Sequence, residues 1–443
     1  MINREKIPQP NGKIEFHLPE MEKHFLDNGL KIVFIQNNKL PIVQLGMMIY
    51  AGSIHDPKGK NGLANLTSMM LDEGAGDLNA LEFDEAVESL GSILNASTDE
   101  EKISVTMTTI SENFEKSLSL FRDAILFPRF AEEDFDREKR KATTRVLQLE
   151  QEPSYLATSG FQKVAFNGTN YAFQSLGKIE TLENVTVDSV RSYHKEYFSP
   201  ANATLFAVGD FQKTDLIASF EKYFGKWKKG KIYEKKICEP EKTKRKIYFI
   251  HRDDSPQTEI VMGHIVSGRE IKNYFSRLTL NSILGGQFTS RINLNLREKR
   301  GITYGAHSSF SYNKNFGLFS VSTSVQGEHT KTAVDEIFKE IENIKKEISA
   351  DELQFAKSSL IKRFPSQFET YSQLIGNMAL VELFDLPANY FNIYPEKIKA
   401  VTLDDLYSIA RNDIDENLLT TILVGNKEEL SEQFNGELTE LTL

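Results

Sequence analysis

Val185-Thr186-Val187-Asp188-Ser189-Val190 opens a segment that runs on to Ala207-Val208-Gly209, and Val401-Thr402-Leu403-Asp404-Asp405-Leu406 opens one that runs on to Leu423-Val424-Gly425. The offset is 216 at both ends, 401 less 185 and 425 less 209, so the two segments align without a gap. Each reads as a capped helix, a turn and a short β-run, Thr204 to Val208 and Thr420 to Val424. About a quarter of the aligned residues are identical. The matching order of elements points to an internal duplication. At 443 residues the chain is also longer than one ordinary domain.

Between the repeats, Lys226 to Lys246 is dense in lysine and glutamate and nearly free of apolar periodicity, as an exposed linker is. The expected division is a first half at 1–228, a charged linker at 229–246 and a second half at 247–443. Within each half, strands come first and helices follow. Leu30 to Ile35, Val43 to Tyr50 and Ile103 to Thr109 have strand composition or alternation, as do Ile247 to Ile250 and Ile260 to Ile265. Asn79-Ala80-Leu81-Glu82 forms a capping box for a helix ending at Gly91, and Ser111 opens an amphipathic helix. Ser349-Ala350-Asp351-Glu352 caps a helix that follows another over Thr330 to Ile348. Strand groups and helix runs without βαβ alternation predict an α+β fold.

Composition narrows the function. A formal charge of −10 and a pI near 5.5 argue against a nucleic-acid partner. The single cysteine, Cys238, excludes an internal disulfide and lies in the charged linker, a poor place for a catalytic thiol. Eight histidines are scattered with no pair at metal-ligand spacing. No apolar run approaches the ~20 residues of a membrane span, and no signal peptide is visible at the N-terminus. The expected compartment is the cytoplasm, with the periplasm open if a leader preceded this N-terminus. There is no nucleophile elbow and no Walker loop.

A second stretch, Gly62-Leu63-Ala64-Asn65-Leu66-Thr67-Ser68-Met69-Met70, raises the chemical question. Asn65 and Met69 are four residues apart and share one helix face. Zinc at neutral pH takes imidazole, thiolate or carboxylate ligands, and an amide and a thioether are weak substitutes. Ser68 cannot deprotonate a metal-bound water. The stretch resembles the metal helix of the pitrilysin/insulinase-like zinc peptidases, the inverzincins, which include the mitochondrial processing peptidase. That family writes the helix Gly-φ-Ala-His-x-x-Glu-His-Met. On this resemblance Asn65 stands at the first histidine, Ser68 at the glutamate and Met69 at the second histidine. The family's third ligand, a glutamate, follows roughly 75 residues downstream. Counting 145 less 69 gives 76, which puts Arg145 at that position, where a fixed cation would repel a metal ion. Glu138 matches an acid that supports the family's metal site and is expected here to pair with Arg145. The resemblance implies no metal and no cofactor in this chain, with zinc expected in a partner subunit.

Further runs extend the resemblance over most of the chain. Asn95-Ala96-Ser97-Thr98 looks like the family's cleft-lining strand, which makes Asn95 and Ala96 candidate substrate-binding residues. Leu284-Gly285-Gly286-Gln287-Phe288-Thr289-Ser290-Arg291 and Leu296-Arg297-Glu298-Lys299-Arg300-Gly301-Ile302-Thr303-Tyr304 match its C-terminal runs. Arg297 and Tyr304 match the family's peptide-binding pair. An arginine can fork onto a carbonyl or carboxylate, and a tyrosine hydroxyl can donate to an oxyanion. From spacing alone, Arg297 offsets a helix dipole and Tyr304 packs in a strand. The implied fold is two homologous α/β halves, each an antiparallel sheet backed by helices. The implied function is the non-catalytic subunit of a two-chain zinc metallopeptidase, inactive alone and paired with an HxxEH-bearing homologue. The alternative is a structural or peptide-binding pseudopeptidase that self-associates and holds extended peptide or unfolded polypeptide by strand addition.

Overall fold

The computed structural model describes residues 18–233 and 237–443. The first sheet has the order β1-β2-β6-β3-β5-β4. Its strands are β1 (Glu22–Phe25), β2 (Lys31–Gln36), β3 (Ile42–Ile49), β4 (Ile93–Thr98), β5 (Ile103–Ile110) and β6 (Ala203–Gly209). The second has the order β12-β7-β11-β8-β10-β9. It is built from β7 (Lys246–His251), β8 (Gln257–Val266), β9 (Ala306–Tyr312), β10 (Gly317–Gln326), β11 (Thr420–Gly425) and β12 (Leu438–Glu440).

The β-runs that close the two repeated segments are β6 and β11, and both are buried along their whole length. Each slots between the first two long strands of its sheet, parallel to β2 or β7 and antiparallel to β3 or β8. The sheets are therefore mixed, antiparallel everywhere else except where the short edge strand β12 runs parallel to β7. A parallel neighbour is reached only through a long crossover, which is why most of each half's helices lie between its opening strands and its last long strand. The helices opening the repeats, Val187–Tyr197 and Leu403–Asn412, are capped alike, by Thr186 on the Ser189 N–H at 3.3 Å and by Thr402 on the Asp405 N–H at 3.2 Å. Capping boxes close at Asn79/Glu82 and Ser349/Glu352 where the pattern placed them.

One face of each sheet carries that half's own helices and core. The other face is covered by a helix from the opposite half. Helix Pro153–Ala165 lays Ala157, Phe161 and Ala165 on Val261, Ile422 and Val424 of the second sheet. Helix Tyr371–Leu383 lays Leu374, Ile375 and Met378 on Val33, Met48, Phe206 and Val208 of the first. Both contacts need glycine beneath them. A Cβ on Gly46 would stand 3.0 Å from Ile375 Cγ2, and one on Gly263 would stand 2.9 Å from Phe161 Cζ. Glu382, almost wholly buried, is held across the halves by Lys23 and by Lys31 at 2.8 Å. Burial works against its charge, but the two lysines keep its carboxyl below the usual range.

Candidate functional site

Helix Leu63–Met69 begins at Gly62, whose φ of +99° suits only glycine. The buried carboxylate of Asp56 accepts from the Gly62 N–H at 2.7 Å and the Ala64 N–H at 2.8 Å, so the start of this helix is fixed. Asn65 and Met69 do share one face. The Asn65 amide donates to Met69 Sδ at 3.5 Å, and the Ser68 hydroxyl donates to the Asn65 carbonyl at 2.8 Å. The two side chains at the family's histidine positions are closed on each other, and Ser68 is tied to the helix backbone. These donors do not fit zinc, and among the described residues no three His, Cys, Asp or Glu side chains converge as a metal site.

Arg145 is exposed on helix Glu132–Leu149. Among the described residues it makes no ion pair, and Glu138 is not its partner as the sequence suggested. Glu138 is buried and pairs with Arg137 at 3.3 Å and Lys141 at 2.6 Å, one and three residues along its helix. The reason is rotation. Seven residues bring Arg145 back to a similar angle but two turns away along the axis. Arg137 also holds Asp134 at 2.5 Å and Glu73. Glu73 and Asp72, just beyond the degenerate helix, were missed by the motif reading. Burial and proton sharing with Glu138 push Glu73 up to about 7, and burial takes Asp72 up to about 6. The sequence signal was two adjacent acids following an uncharged, buried helix.

In the second half, Leu294–Lys299 is a π-helical turn, a form that often marks functional positions. It ends at Gly301, whose φ is +67°. Strand β9 starts only at Ala306, so Tyr304 stands in the intervening loop, not in a strand, and is 91% exposed. It borders a cleft of about 590 Å³ together with Gly285, Gly286, Phe288, Glu259 and His307. Arg297 does not line this cleft directly. Its guanidinium carbon lies 4.3 Å from the ring centre of Phe288, and its Nη1 is 3.0 Å from Glu298. Phe288, itself 64% exposed, thus carries Arg297 on its ring while bordering the same cleft as Tyr304. Asn95 and Ala96 fall on β4, the open edge of the first sheet, with Asn95 exposed. Among the other expected positions, Cys238 is exposed. His264 is buried, its Nδ1 donating to the Ile265 carbonyl at 2.9 Å and its Nε2 accepting from the Asp415 N–H at 3.1 Å.

Fold and site together define a peptidase-like scaffold whose metal helix keeps its frame without its ligands. Residues 31–178 match the family model for insulinase (peptidase family M16), and residues 184–360 match that for the peptidase M16 inactive domain. The chain belongs to peptidase family M16. It is 22% identical over 409 residues to the "uncharacterized zinc protease YmxG" of Bacillus subtilis, covering 91% of this chain and 98% of that one. It is 23% identical over 403 residues to the "non-peptidase homolog YmxG" of Helicobacter pylori, covering 90% and 92%. The solved peptidase M16 inactive domain from Pseudomonas fluorescens has the same fold, with a TM-score of 0.86 at 22% identity over 92% of this chain and 98% of that one. The present chain is an inactive peptidase homologue of that family.

Proposed function

We propose that this chain is the non-catalytic subunit of a two-chain zinc peptidase. An HxxEH-bearing homologue supplies the zinc and the general base. This chain supplies Arg297, Tyr304 and half of the chamber. The observation that supports this most is the contrast between the halves. Asn65 and Met69 bond to each other and Ser68 bonds back to the backbone of its own helix, whereas Tyr304 offers an exposed hydroxyl on an open cleft. Peptide segments would add to the edge of β4 beside Asn95 and Ala96. The working division remains 1–228, linker 229–246 and 247–443, with the two halves arising by internal duplication. The cytoplasm is the proposed compartment, in keeping with a lone, unpaired cysteine. Among the described residues no helix is long and apolar enough to cross a membrane.

Co-expression with an HxxEH homologue from the same genome tests the reading. The expected result is a heterodimer on gel filtration, with zinc in the partner alone and peptide cleavage that needs both chains. Arg297→Ala should reduce cleavage by about tenfold or more, the loss of a charge-assisted hydrogen bond of roughly 1.5–3 kcal/mol. A stable homodimer that ignores the homologue would favour the self-associating pseudopeptidase, and unchanged cleavage with Arg297→Ala would remove this residue from the mechanism.

A further inference from the structure

Helix Ile271–Leu284 presents Tyr274, Leu278 and Asn281 along one face, toward the edge strand β9. Asn281 ties the two together, donating to the Ser308 carbonyl at 2.9 Å and accepting from the Ser308 hydroxyl at 2.7 Å. It lies 281 less 65, or 216, residues after Asn65, the same offset as the repeated segments. The groove is therefore the second half's counterpart of the groove between the degenerate metal helix and β4. It holds a cavity of about 270 Å³, bordered also by Arg269, Phe310, Tyr312, Leu380 and Phe384.

We infer that this cavity binds a ligand bearing a free carboxylate on an apolar or aromatic body. Two polar groups on its walls carry the inference. The Arg269 guanidinium carbon lies 4.2 Å from the Tyr274 ring centre and 5.1 Å from those of Phe384 and Tyr390. Its Nη2 donates to the Tyr390 hydroxyl at 2.8 Å. Its Nη1, however, is buried without a hydrogen-bond partner, and among the described residues no carboxylate pairs with it. The Tyr312 hydroxyl is likewise buried and unpartnered. Burial raises its pKa, and interaction with the nearby Arg277 guanidinium opposes that. Arg277 itself shows what a satisfied buried arginine looks like here, with Asp413 at 2.7 Å, the Ser267 carbonyl at 2.8 Å and the Ser267 hydroxyl at 2.6 Å.

Unpaired buried donors are rare and call for an acceptor. A carboxylate accepts from both a guanidinium and a phenol, while the surrounding rings take an apolar body. One uncompensated cation matches one negative charge. A dianion such as phosphate would leave charge unpaired among aromatic rings. Tyr312, Leu380 and Phe384 also border an adjoining cavity of about 530 Å³ that carries Asp99, Glu100 and Glu101. That adjoining space leaves room for a chain running on from the carboxylate, which therefore has two sources, a peptide C-terminus or a free small acid.

All of these residues belong to this chain, so the inference does not depend on the two-subunit reading. Calorimetric titration of the full chain separates the sources. The probes are 3-phenylpropionate, 3-phenylpropanamide, and an N-acetylated tetrapeptide ending in phenylalanine as the free acid or the amide. An acid that binds at least tenfold more tightly than its amide is the expected result, with the peptide acid outranking the small acid if a peptide is the source. Arg269→Gln should erase the acid preference, and Tyr312→Phe, which keeps the ring, should weaken it severalfold. Equal affinity for acid and amide, or no binding of either acid, overturns the assignment. That comparison uses the unaltered chain, so it holds even if Arg269→Gln fails to fold.

Discussion

His194 stands with its ring against Phe130 and Phe198, and its Nε2 donates to the Ile125 carbonyl at 2.8 Å. Burial takes its pKa down to about 4. The folded state therefore keeps it neutral where the unfolded chain, near 6.5, takes up a proton. The stability it contributes is present above pH 6.5 and is lost as pH falls through that value toward 4, a loss of about 3 kcal/mol. Glu73 has the opposite sign. Its folded pKa of about 7 lies above the usual glutamate value, so its contribution is present below pH 4.5 and lost as pH rises toward 7. Urea midpoints measured from pH 4 to 8 should show both limbs, with His194→Gln flattening the acid one. Tyr304 makes a contrasting case. Being 91% exposed, it should tolerate Tyr304→Phe within about 0.5 kcal/mol of stability. Cleavage by the complex with a zinc-bearing partner should fall by about a hundredfold if its hydroxyl donates to the oxyanion. At this scale the motif residues could be named from sequence, because their order is fixed along the chain. Their contacts could not be. Glu138 with Lys141, and Arg297 with Phe288, depend on where side chains meet in space.

Among the elements, strand and helix positions followed from alternation, capping and repeat offset. β5 and β8 run within a few residues of the apolar stretches that announced them. Helix Tyr371–Leu383 shows the limit of such reading. Its apolar residues reveal that the helix is buried, but not against which sheet. Leu374, Ile375 and Met378 pack on the sheet of the other half, on residues from 166 (374 less 208) to 345 (378 less 33) positions away. Ile375→Ala should cost about 2–5 kcal/mol, since the cavity opens between two rigid sheet-and-helix layers. Gly46→Val should cost roughly 1–3 kcal/mol through overpacking against Ile375. Chemical denaturation of the full chain measures both. If they leave the midpoint unchanged, the crossed helix is not a stabilising clasp.

For the molecule as a whole, the gapless offset of 216 residues between Val185–Gly209 and Val401–Gly425 was already a statement about topology. In three dimensions β6 and β11 are slotted into equivalent places in sheets whose other strands run in the same order apart from the edge strands β1 and β12. The sequence by itself also determined that the helix at Leu63–Met69 lacks metal ligands, because ligand chemistry is a property of side-chain type and needs no coordinates. Only the tertiary structure decided the exchange of helices between the halves, the exposed stance of Tyr304 and the meeting of Arg269 with Tyr312 around one cavity. The physical reason is that local pattern records how much surface an element must bury, whereas the partner that buries it is selected by the packing of the whole chain.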